Sequence, residues 1–141
     1  MTAHKPAPRR SDCPINVALE ALGDGWSLLI VRDLMFKQRK TYKDFLEAEE
    51  GIASNILADR LRRLENLRII SRQQDPADAR RYVYRLTETG VNLAPMLLEM
   101  ILWSARHFTT GAPPEVLLEM AQHRERFLAR VRKDWENSGK S

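Results

Sequence analysis

Asn55, Asp59, Arg62 and Asn66 recur three and four residues apart, so at about 100° per residue they fall on one side of a helix. Ser54, Ala58 and Arg63 flank that side. Short amides, a carboxylate and a forked guanidinium are groups that pair with base edges: Asn suits adenine, Arg suits guanine, and Asp accepts from cytosine. Asn55, Ala58, Asp59 and Arg62 are therefore the candidate base-facing set. The plainer reading is that they form the wet side of an amphipathic helix.

A second group suits phosphate. Arg39, Lys40 and Thr41 precede a helix N-terminus, where backbone N–H groups and the helix dipole favour an anion. Ser54, Arg63, Arg80 and Arg81 add donors on the neighbouring segments. The chain's single cysteine, Cys13, also stands at a predicted helix start, close to Arg9 and Arg10, a setting that favours a thiolate and so a redox or electrophile switch. The alternative is an unreactive thiol packed beneath that helix. His4, His107 and His123 are too scattered for a metal site, and there is no Gly-rich phosphate loop or nucleophile elbow. No cofactor and no catalytic residue is expected, and an enzyme is disfavoured.

The elements that must position these groups follow from the apolar pattern. Leu57, Leu61 and Leu64 form the buried stripe of a helix over Ser54 to Asn66, behind the polar side. Ile69 to Gln74 and Arg81 to Leu86 read as strands, the second alternating Tyr82, Tyr84, Leu86 against Arg81, Val83, Arg85. Asp75 to Ala79 between them is turn chemistry, with Pro76 suited to i+1 of a type I turn. A polar-faced helix leading into a basic hairpin is the layout of a winged helix-turn-helix.

Upstream, Asp12 is the expected N-cap of a short helix carrying Ile15, Ala18, Leu19 and Leu22, and Gly23 closes it. WSLLIVRDLMF must be almost wholly buried. Thr41 and Asp44 form a capping box for TYKDFLEAEE, and Gly51 allows the tight turn into the polar-faced helix. Downstream, Thr87 caps a helix expected to run unbroken for about five turns, through Leu93, Leu97, Met100, Ile101, Trp103 and Phe108. A last helix starts at Pro114, with Leu117, Met120, Phe127, Leu128, Val131 and Trp135 on its apolar side. This surplus of apolar stripe, with its tryptophans, predicts a partner subunit.

The chain has 141 residues and net charge +4, enough to bury a core without disulfide or metal. Its arginines cluster between Arg60 and Arg85, which suits a polyanion. With one cysteine and no apolar run of membrane length, a cytoplasmic protein without membrane contact is expected.

Cys13-Pro14, LGDGWSLLIVRDL at Leu22 to Leu34, GIASNILADRLRRLE at Gly51 to Glu65 and YRLTETG at Tyr84 to Gly90 together resemble HxlR-type winged-helix regulators, bacterial transcription factors related to the MarR group. The resemblance implies a homodimer on a pseudo-palindromic operator, acting as a repressor, with contacts between subunits from the first helix and the C-terminal helices. It places Ile15, Leu19, Leu97, Met100, Ile101, Trp103 and Phe108 at that interface. It also implies that Cys13 senses electrophiles or oxidants, and a small-molecule effector is the other candidate signal. Two features depart from the pattern. Gly25 replaces the usual base before Trp26, and the tip Asp75-Pro76-Ala77-Asp78-Ala79-Arg80-Arg81 looks more like a MarR wing. By that likeness Asp78 braces the turn and Arg80 reaches the minor groove.

The expected fold is mainly α with a small β-hairpin wing (α+β), a winged helix-turn-helix with long C-terminal dimerisation helices. Residues 1–11 form a flexible basic arm, 12–108 the winged helix-turn-helix domain with dimerisation helices, and 109–141 a C-terminal helical extension. The expected partner is double-stranded DNA. The alternatives are a protein-interaction module and an architectural DNA binder without sequence preference.

Overall fold

The computed structural model describes residues 8–139; residues 1–7 of the predicted arm, and His4 with them, lie outside the described residues. The element order is α1 (Pro14–Leu22), α2 (Ser27–Phe36), α3 (Tyr42–Leu46), α4 (Ser54–Asn66), β1 (Ile70–Asp75), β2 (Asp78–Leu86), α5 (Glu88–Val91), α6 (Ala94–His107), α7 (Pro114–Gln122) and α8 (Arg124–Ser138). This is a mainly helical winged helix-turn-helix with one antiparallel β1–β2 hairpin. Among the described residues no single helix is long and apolar enough to cross a membrane.

The core gathers where amphipathic faces converge. Val31 of α2, Phe45 of α3, Leu57, Leu61 and Leu64 of α4, and Ile70, Tyr84 and Leu86 of the hairpin are all buried. Phe45 meets Tyr84 edge-on with ring centroids 6.0 Å apart, which fixes the wing to the helix-turn-helix. Every residue of α2 is at least partly buried, as its apolar run requires. The Thr41/Asp44 capping box forms, with Thr41 Oγ1 accepting from Asp44 N at 3.2 Å and Asp44 Oδ2 accepting from Thr41 N at 3.1 Å. Gly51 turns the chain into α4 at φ +69°, a conformation that favours glycine.

Several boundaries differ from expectation. Cys13, not Asp12, occupies the N-cap of α1, with Pro14 as its first helical residue. Helix α3 stops at Leu46 instead of running to Glu50. The strands run closer to the tip than expected, to Asp75 and from Asp78, leaving Pro76 and Ala77 as the turn. Register is regular from Ile70↔Leu86 to Gln74↔Tyr82 and then jumps to Asp75↔Asp78, so Ala79, Arg80 and Arg81 bulge from the ladder.

The helix expected from Thr87 to Phe108 is broken after Val91. Pro95 explains the break: it has no N–H to donate and its ring would strike the carbonyl of Val91 four residues back. The C-terminal helix is likewise two helices, meeting at His123 (φ −129°, ψ 48°). No Gly or Pro marks this bend, which lets Met120, Phe127 and Val131 all enter the same core. The C-terminal stripe is therefore largely used within the subunit. Phe127 packs near Phe36 of α2 at 6.2 Å between centroids, and Trp135 Nε1 donates to Leu86 O at 2.7 Å. Leu97, expected between subunits, is also internal, at 6% exposure with Leu98 and Leu102. It lies on the α6 face shared with Ala94, one turn before Ile101, whereas Met100, Trp103 and Phe108 point outward.

Candidate nucleic-acid interface

Helix α4 spans the residues expected of it and offers Ser54, Asn55, Ala58, Asp59, Arg62 and Asn66 to solvent. Its start is held by α3, since the Tyr42 hydroxyl donates to Ser54 O at 2.8 Å. Its middle is held by the α1–α2 loop through Arg60, whose Nε donates to Asp24 Oδ2 at 2.8 Å. Asp24 is a hub. Its carboxylate also accepts from the backbone N–H of Trp26 and Ser27, each at 3.0 Å, and from Ser27 Oγ at 2.5 Å, capping α2. Burial would raise its carboxyl pKa, but the Ser27 hydroxyl, the Arg60 guanidinium and the two N–H groups outweigh that and hold it at about 2.

Within the exposed face the charges are ordered. Asp59 accepts from Arg60 Nη1 at 2.5 Å and from Arg62 Nη2 at 3.4 Å. Its carboxylate thereby steers Arg62, whose side chain is 72% exposed and free at its remaining donors to meet an acceptor.

The wing tip is also built for projection. Asp75 Oδ1 accepts from Ala77 N at 2.9 Å, closing the turn, while Oδ2 takes Arg81 Nη2 at 2.6 Å. Asp78 Oδ1 accepts from the Arg80 backbone N–H at 3.0 Å and from its Nε at 3.2 Å, so the two residues named as brace and reach are paired with each other. The Arg80 side chain is 93% exposed on the bulge. The Asp78 carboxyl lies below its ordinary range, first because of the Arg80 N–H and then its guanidinium.

Two of the expected phosphate donors have a different setting. Arg39 Nη1 lies 2.9 Å from Asp33 Oδ1 and its Nη2 lies 2.8 Å from Glu49 Oε1. Asp33 is only 3% exposed and is shared with Arg32, which also grips Glu50 at 2.6 Å. Arg39 thus closes an internal ion network that ties the end of α2 to the turn before α4. Arg63 donates to the Glu20 carbonyl and tacks α1 onto α4. Lys40 keeps its ammonium free of any ion pair among the described residues, while its carbonyl accepts from Tyr84 N at 2.8 Å. That bond adds a rung on the outer edge of β2.

The sequence reading missed the Asp24–Arg60 tie and the Asp33 network. Asp24, three residues before Ser27 at the start of an apolar helix, carried a capping signal. Nothing local distinguished Arg39 from its exposed neighbours. Cys13 is exposed, which overturns the alternative of a thiol packed beneath α1. The N–H groups of Asn16 and then Ile15 lower its pKa.

Comparison with known proteins agrees with this geometry. A family model described as HxlR-like helix-turn-helix matches residues 21–111. The HTH-type transcriptional regulator YodB of Bacillus subtilis is 36% identical over 100 residues, covering 70% of this chain and 88% of YodB. The HTH-type transcriptional regulator sll1512 of Synechocystis sp. is 38% identical over 88 residues, covering 62% of this chain and 64% of that relative. The chain thus spans just under two-thirds of the length of that relative. Among solved structures, the reduced form of YodB aligns with TM-score 0.58 at 33% identity, over 72% of this chain and all of that one. The redox regulator HypR in its oxidized form aligns with TM-score 0.60 at 27% identity, over 70% of this chain and all of that one. The chain belongs to the HxlR-like helix-turn-helix family.

Proposed function

We infer that the protein is a sequence-specific regulator of transcription that binds double-stranded DNA as a homodimer and represses from a pseudo-palindromic operator. One observation carries this: the polar face of α4 and the Arg80 tip are both exposed to solvent, while Arg39, Arg60 and Arg63 behind them are held by partners within the chain. Helix α4 enters the major groove, with Asn55, Ala58 and Arg62 at base edges and Asp59 orienting Arg62. Lys40, Thr41, Ser54 and Arg81 contact the backbone, and Arg80 enters the minor groove beside it. Arg39 and Arg63 serve as braces.

Dimerisation is assigned to the apolar side chains that the fold leaves uncovered, Ile15 and Leu19 on α1, Met100 and Trp103 on α6 and Phe108 just after it, with partly buried Ile101 at their margin. The signal is assigned to Cys13: its thiolate adds to an electrophilic ring carbon such as that of a quinone, and the ring oxygen takes up a proton. This chemistry, like DNA binding, belongs in the cytoplasm.

Selection of sheared genomic fragments by the purified protein, followed by footprinting of the enriched species, tests the reading. The expected product is one inverted repeat protected in two adjacent turns. Binding without enrichment would replace the regulator with an architectural protein, and no binding would replace it with a protein-interaction module.

A further inference from the structure

Helix α8 lies beyond residue 111, where the family match ends, and its Trp135 is hydrogen-bonded to Arg85 and Leu86 at the base of the wing. Between α8, the end of α2 and the hairpin lies a cleft of about 320 Å³, within the range of small-molecule sites. Its apolar walls include Leu34, Val83, Val131 and the indole of Trp135. Its charged lining is lopsided: Lys40, Arg72 and Arg85 face a single carboxylate, Asp134.

These cations are not equally free. Arg72 is committed to Glu65 at 3.1 Å. Arg85 has no carboxylate partner among the described residues. Its guanidinium lies over the Trp135 ring at 4.4 Å and its Nη2 donates to Trp135 O at 2.7 Å. Its Nε is buried and donates to nothing among the described residues. Leaving a buried donor without an acceptor is costly, and a charged acceptor brought to the same guanidinium is a strong partner. Lys40 makes no ion pair among the described residues, so it supplies a second positive charge at the cleft.

We propose that this cleft binds a small organic carboxylate, with its anionic end held by Arg85, Lys40 adding positive charge at the rim when no DNA phosphate occupies it, and its hydrocarbon body against Leu34, Val131 and Trp135. The apolar walls favour such an amphipathic anion over free phosphate, which brings charge and no body to bury. The site extends beyond the DNA-binding reading and needs only the chain itself.

Benzoate titrated into the full-length protein, with neutral benzamide and inorganic phosphate alongside, tests it through the amide resonances of Ser71, Val83 and Arg85 and the Trp135 indole. Benzoate is expected to move these resonances saturably, and the other two probes to leave them in place. Arg85→Gln should weaken benzoate at least about tenfold. Asp134→Asn, at an exposed position, should tighten it about two- to fivefold by removing a like charge. A misfolded variant cannot bind more tightly, so the second substitution keeps the test decisive. No saturable response to benzoate, an equal response to benzamide, or no tightening in Asp134→Asn would overturn the proposal. The measurement contains no DNA, so its failure and that of the DNA-binding reading are separate results.

Discussion

Arg60 reaches out of α4 to place its Nε 2.8 Å from Asp24 Oδ2, so the helix that presents the polar face is fastened to the cap of the helix behind it. The Asp24 carboxyl is held at about 2 against an ordinary 3.8. A depressed carboxyl stabilises the fold in full above its ordinary value and loses that contribution as pH falls through the folded value. Asp24→Asn should therefore destabilise the protein by about 1–2 kcal/mol near neutral pH. The deficit should shrink between 3.8 and about 2, as urea midpoints across that window will read.

The two cation classes at the surface should give different phenotypes in DNA binding. Arg62→Ala is expected to cost about 1–3 kcal/mol and relax preference at one base pair. Lys40→Ala should weaken all sequences alike and lower the salt slope by about one. Competition binding with single-position operator variants at several salt concentrations separates them. An Arg62→Ala protein with unchanged preference would remove that residue from base reading.

Gly90 lies in α5 where a Cβ would stand 2.3 Å from Ile69 O and 2.9 Å from Leu86 Cδ2. The obstruction on one side is backbone, so it has no rotamer by which to move away. Gly90→Ala should destabilise by about 2–3 kcal/mol despite its better helix propensity. Equal or higher stability in chemical denaturation would show that α5 can shift at little cost.

The outward face of α6 is the place to test assembly. Trp103 is 57% exposed and touches Phe108, with ring centroids 5.8 Å apart. Trp103→Glu should turn a dimer into a monomer in sedimentation without lowering the monomer's own stability, because the side chain is not part of the subunit core. A wild-type protein that sediments as a monomer at all concentrations would reject the dimer.

Cys13 is the test of signalling. With its thiol pKa lowered by the N–H groups of Asn16 and Ile15, the protein should lose operator affinity on treatment with a quinone, faster as pH rises through the thiol's range. Cys13→Ser should keep its affinity under the same treatment. Equal loss in both proteins would exclude this thiol as the sensor.

The parts of the fold that were legible in the sequence are those governed by short-range periodicity. Leu57, Leu61 and Leu64 mark α4 to the residue, and the alternation marks Tyr84 and Leu86 as the buried side of β2, whereas Tyr82 in the same register is exposed. The pairing of Asp78 with Arg80 follows from the likeness to a MarR wing and not from periodicity. The rest depended on distant partners. Arg39 looks like any loop arginine until Asp33 and Glu49 are brought to it, and Trp135 looks like an interface residue until Leu86 O accepts its N–H. Leu97 and Trp103 sit in the same amphipathic run, and only the packing of α7 and α8 decides which of them is covered. The break before α6 has a local signature in Pro95, whereas the bend at His123 has none.

The single bond from Tyr84 N to Lys40 O has a consequence for measurement of shape. It joins the α2–α3 loop to β2, so Lys40 and the wing tip become two jaws whose bases are tied together at this rung. A duplex laid across both is gauged: if its backbones stand too far apart or too close, one jaw engages and the other misses. On the proposed DNA-binding reading, such a caliper would discriminate among sequences by the width of their grooves, at positions where no side chain touches a base.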